Sequence, residues 1–125
     1  MLLSNTSASV EITDPLVDIE VMKNEGDMVT ITCTARGVPP PFISWYLNGQ
    51  VIVTDGDRVT VVPLSDVMVD IEGYSSVTSM IVISNILRTD AGIGSCVANN
   101  TVTIGMIDMD TEATRFVNIT VQCKL

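Results

Sequence analysis

The 125-residue chain contains no histidine. A Ser-His or Cys-His nucleophile pair therefore cannot be assembled, and zinc lacks its commonest nitrogen ligand. Basic residues are scarce: 6 Lys and Arg stand against 15 Asp and Glu, for a net charge of −9. Such a surface repels phosphate backbones and anionic headgroups, so nucleic acid is not an expected partner. The acids are scattered rather than blocked, which suits a solubilising role. No apolar run approaches the roughly 20 residues of a membrane-spanning helix, because apolar residues alternate with Thr, Ser and Asn. Direct membrane insertion is not expected. Internal repeats and low-complexity segments are absent as well. Met1-Leu2-Leu3-Ser4 is too short for a secretory leader, so the chain reads as a piece of a longer product.

What is present is a strand-forming pattern. Hydrophobic residues make up 46% of the chain and charged residues 17%, which excludes a disordered polymer. The length suits a single domain over 1–125, with its core between about 17 and 122 and a flexible end at 1–7. Period-two alternation between turn signals predicts strands near 8–13, 17–22, 28–35, 42–47, 50–53, 58–62, 77–86, 93–100 and 112–122. Val17, Ile19 and Val21 are expected to share one face, as are Val29, Ile31 and Cys33. Val117, Ile119 and Val121 turn inward, leaving Phe116, Asn118 and Thr120 for solvent. Residues 63–76 and 101–111 make longer connections than a minimal sandwich needs. The second is apolar, with Val102, Ile104, Met106, Ile107 and Met109. It either extends a hairpin as packed strand or exposes a contact patch.

Cys33, Trp45 twelve residues later, and Cys96 before a final strand resemble the signature of the immunoglobulin superfamily. Gly37-Val38-Pro39-Pro40-Pro41-Phe42-Ile43-Ser44-Trp45-Tyr46-Leu47-Asn48-Gly49 is similar to the B–C corner and strand C of its I-set branch, with some V-like features. Asp90-Ala91-Gly92 and Cys96-Val97-Ala98-Asn99-Asn100 follow in the order that branch shows. The resemblance implies an all-β fold: an immunoglobulin-like antiparallel β-sandwich of two sheets with Greek-key connections. It further implies a Cys33–Cys96 disulfide over a core containing Trp45, Ile31 and Ile83. By loop entropy that bridge destabilises the unfolded chain by roughly 4 kcal/mol. The alternative is a pair of buried free thiols, as in intracellular immunoglobulin domains. An Arg58–Asp90 salt bridge is expected beside the Asp90-Ala91-Gly92 corner. One departure stands out: relatives carry tyrosine two residues before the second cysteine, and this chain has Gly94. That puts the packing at one end of the sandwich in question.

Functional candidates follow from the remaining residues. Asn5, Asn99 and Asn118 each begin an Asn-x-Ser/Thr sequon for glycosylation. Tyr46, Val97 and Phe116 fall in the outward phase of neighbouring strands and form a candidate contact face. Cys123 is left unpaired by the expected bridge, which makes it available for an intermolecular disulfide or leaves it as a linker residue. Asp55-Gly56-Asp57 and Asp108-Met109-Asp110-Thr111-Glu112 alternate carboxylates as calcium sites do, without the grammar of an EF-hand, and read better as solvated loop acids. No enzymatic activity, metal or cofactor is expected. The resemblance implies an extracellular binding module on the outer side of the cell membrane, from an adhesion protein or a receptor, including the receptor tyrosine kinase type. Its partner is a protein ligand or a homophilic copy, with a homodimer through Cys123 among the arrangements. The rivals are an intracellular sarcomere-type structural domain and a secreted immune-type recognition domain.

Overall fold

A computed structural model of the chain describes residues 7–64 and 67–123. The strands are β1 (Ala8–Asp14), β2 (Ile19–Asn24), β3 (Val29–Val38), β4 (Phe42–Leu47), β5 (Gln50–Ile52), β6 (Val59–Pro63), β7 (Met68–Val69), β8 (Ser75–Ile83), β9 (Gly92–Ile104) and β10 (Ile107–Gln122). One sheet runs β1-β3-β8-β6, with β7 paired to β8, and the other runs β2-β10-β9-β4-β5. The chain crosses between sheets after β1, β2, β3, β5 and β8, which gives an all-β Greek-key sandwich. Its pairs are antiparallel except β2 with β10, which runs parallel from Ile19 opposite Val117 to Asn24 opposite Gln122.

Alternation explains the two layers. Val29, Ile31, Cys33 and Ala35 are buried along β3 while the intervening threonines face outward or are partly covered. Their partners from the other sheet are Trp45, Cys96, Ala98, Val117 and Ile119. Cys33 and Cys96 are joined in a disulfide whose Cα atoms lie 6.5 Å apart. Trp45 sits directly opposite Cys96 in register. Its indole Nε1 donates to Ser79 Oγ at 2.9 Å, so the one polar atom of the ring is satisfied inside the core.

Several expectations need correction. The core begins before residue 17, because Val10 and Ile12 of β1 are both buried. Val17 is 71% exposed; it lies before β2, and the inward phase starts at Ile19. The strand expected over 77–86 ends at Ile83, where Asn85 takes a φ of +53° and turns the chain. Ile86 nevertheless plugs the core completely, its N–H donating to Asp27 O at 2.8 Å and its carbonyl accepting from Gly26 N at 2.9 Å. The missing ring at Gly94 leaves a void of only ≈ 10 Å³, at the lower limit for one water. A Cβ there would meet the Tyr46 carbonyl oxygen at 3.3 Å and the Ile119 side chain at 3.8 Å, so the neighbours have closed over the space.

Candidate functional site

The outer face of the second sheet is built by register. Tyr46 lies opposite Ser95, and Ser95 opposite Phe116, so these three form one row across β4, β9 and β10. Ser44, Val97 and Thr114 form the next row, then Phe42, Asn99 and Glu112. Tyr46, Val97 and Phe116 thus come together on one surface, lining a shallow depression of ≈ 670 Å³. A second hollow of ≈ 550 Å³ lies on the other side of Phe116, walled by Ile93 and Asn118 and bordered by Asp18, just before β2, and by Ile19 and Glu20 at the start of that strand.

Beyond the start of β4, β9 and β10 continue as a two-stranded hairpin to Ile104 opposite Ile107. Gly105 carries φ +66° at the first position of its two-residue turn, the place where a II′ turn requires glycine. The two alternatives for this segment are combined, since it is regular strand and most of its apolar side chains are exposed. One face is polar: Thr101 Oγ1 donates to Asp110 Oδ1 and Thr103 Oγ1 to Asp108 Oδ1, both at 2.8 Å. The other face carries Val102, which is buried, and Ile104, Ile107 and Met109, which are not; Met106 at the tip is 100% exposed. Met68, Val69 and Ile71 project from the same end of the sandwich, since β7 pairs with the start of β8, itself opposite the end of β3.

Asn100 anchors the hairpin, a role that its sequence context did not reveal. Its buried Nδ2 donates to the carbonyls of Ala8 and Pro39, each at 3.0 Å, and its Oδ1 accepts from Thr111 Oγ1. That threonine oxygen in turn accepts from Val10 N at 3.0 Å. The available signal was phase: Asn100 follows Cys96 and Ala98 on the inward side, where a polar side chain must find partners.

At the opposite end, Arg58 Nη1 donates to Asp90 Oδ2 at 2.9 Å and Nη2 reaches Oδ1 at 3.4 Å. Asp90 Oδ2 also accepts from Leu87 N at 2.7 Å, which fixes the 3-10 turn Arg88–Asp90. The hydrogen bond to Asp90 raises the pKa of Arg58 above its ordinary value, against the opposing effect of burial. Cys123 is exposed and unpaired just past β10, with Arg88 Nη1 donating to its Sγ at 3.0 Å. Asn99 and Asn118 are exposed on the outer face, while Asn5 lies outside the described residues. Asp55 Oδ1 accepts from Val59 N and Asp57 N, and these two bonds hold its carboxyl below the usual range. Its geometry is that of a turn-forming acid. Among the described residues no group of three or more His, Cys, Asp or Glu could hold a metal ion.

Comparison with known proteins places this architecture. The family model for the immunoglobulin domain matches residues 11–100. The chicken cell adhesion molecule DSCAM is 33% identical over 82 residues, 65% of this chain and 4% of that protein. A striated muscle preferentially expressed protein kinase from zebrafish is 33% identical over 88 residues, 70% of this chain and 2% of that protein. The chain therefore spans a small fraction of these curated relatives. Among solved structures, a complex of titin M10 with an obscurin-like 1 immunoglobulin domain aligns with a TM-score of 0.69 at 21% identity, covering 96% of this chain and 99% of that one. By the family match, the two-sheet topology and the bridged Cys33 and Cys96, the chain belongs to the immunoglobulin-domain family.

Proposed function

We propose that this domain is an extracellular protein-recognition module of a cell-surface adhesion molecule or receptor, and that the β9–β10 hairpin carries its contact surface. The immunoglobulin domain is a non-catalytic fold, so its work is recognition or support. The observation that carries the proposal is the hairpin itself: it exposes Ile104, Met106, Ile107 and Met109 on a backbone tied down by Asn100. A rigid apolar projection loses little entropy on binding, and methionine adapts to varied partners. The Cys33–Cys96 bridge and the exposed sequons at Asn99 and Asn118 support an oxidising, secretory location, as does the likeness to a cell adhesion molecule. The partner is a protein ligand or a second copy of the chain.

Met106→Asp and Ile107→Asp, made in secreted protein, should abolish self-association or ligand binding in sedimentation and cell-aggregation assays without changing the denaturation midpoint. Tyr46→Ala tests the outer face in parallel. Unchanged binding in the hairpin variants, with loss in Tyr46→Ala, would move the contact to that face.

A second reading, an intracellular structural domain, is favoured by the equal identity to the zebrafish muscle kinase. Intact mass of native material before and after reduction separates the two. A gain of two hydrogens on reduction supports the extracellular reading; no change supports the structural one.

A further inference from the structure

We infer that Asn118 carries an N-linked glycan whose first N-acetylglucosamine is seated in the hollow between Phe116 and Ile93. This rests on the extracellular reading above. Phe116, Asn118 and Thr120 lie at alternate positions of β10 and therefore project from one face of the sheet. Asn118-Ile119-Thr120 is a complete sequon, and its asparagine is exposed. The hollow beside it measures ≈ 550 Å³, large enough for a sugar ring, and its apolar walls are open to solvent: Ile93 is 57% exposed and Phe116 49%. Asp18 and Glu20 at the rim offer acceptors for the hydroxyl and acetamido groups.

The chemistry of the occupant matches this wall. One face of a pyranose ring presents mainly C–H bonds, so it removes apolar surface from water when laid on an aromatic or aliphatic side chain. Attachment transfers the sugar from a lipid-linked pyrophosphoryl oligosaccharide. The Asn118 Nδ2–C1 bond forms, the C1–oxygen bond to the lipid pyrophosphate breaks, the amide gives up one proton, and the pyrophosphate leaves. Asn99 begins a sequon on the same face but lies in the row of Phe42 and Glu112, away from this hollow. Seating at Asn118 withdraws Phe116 from protein contact, which leaves the hairpin as the free apolar surface.

The test uses the domain secreted from a glycosylating eukaryotic cell. Intact mass should fall on peptide-N-glycosidase treatment, and Asn118→Gln should remove that increment. Trimming to a single N-acetylglucosamine should leave Tm unchanged, whereas complete removal should lower it by about 4 °C. Phe116→Ala should erase this difference between trimmed and sugar-free protein while remaining folded by circular dichroism. An unmodified Asn118 in secreted, disulfide-bonded protein overturns the inference and leaves the extracellular reading standing. A difference that survives Phe116→Ala overturns the seat. Failure of the natural protein to enter the secretory pathway overturns both readings.

Discussion

A Cβ placed on Gly37 would lie 2.7 Å from the Asn100 Nδ2 atom, so the amide that anchors the hairpin occupies ground only a glycine leaves free. Gly37→Ala should displace that amide. Asn100→Ala should strand the Ala8 and Pro39 carbonyls and cost about 2–3 kcal/mol. Urea denaturation reads the cost. Hydrogen exchange should show faster exchange through residues 101–111 than in β3, and uniform acceleration would mean that Asn100 is no hairpin anchor.

Asp90→Ala should destabilise by about 1–3 kcal/mol, since it removes the acceptor of Leu87 N and leaves Arg58 without its counterion. Asp90→Asn, which keeps an acceptor for Leu87, should lose less. Equal midpoints for both variants and wild type would show that the pair contributes only as an exposed salt bridge does.

Acid should act through Asp55. Its pKa is lowered from 3.8 by the backbone N–H groups of Val59 and Asp57. A depressed folded pKa gives stability that is full above the unfolded value and lost as pH falls through the folded one. Asp55→Asn should therefore flatten the decline in urea midpoint below pH 3.8, with no change in slope near neutrality. An unchanged acid limb would assign the decline to other carboxylates.

Cys123 lies exposed at the exit of β10, opposite in the fold to the hairpin tip. Under oxidising conditions the wild type should give a disulfide-linked dimer on non-reducing electrophoresis, and Cys123→Ser should not. A wild type that stays monomeric assigns Cys123 to the chain beyond this domain.

The sandwich was legible because its signals are local: period-two burial in β3 and the end of β10, the Asn48-Gly49 turn, and the cysteine and tryptophan phase. The extent of β9 and β10 was less so. Ile104 and Ile107 alternate correctly, but with apolar residues exposed on one face and acids on the other, composition alone does not separate hairpin from loop. Val10 and Ile12 join the core through a strand whose partner lies farther along the chain, Ile12 facing Ala35 in register, a pairing that no short window contains. The hollow at Asn118 is a tertiary product of β2, β9 and β10, and the sequon named its residue without its surroundings.

The parallel pairing of Ile19–Asn24 with Val117–Gln122 joins nearly the first strand made to the last. In a chain synthesised from its N-terminus, β2 has no partner until β10 has left the ribosome, although β3 and β8 can already pair. The half-built sandwich therefore presents an open sheet edge and an uncovered Trp45 layer for most of its translation. Closure is a single late event, so premature chain termination within β10 should yield an aggregation-prone product rather than a shortened working domain.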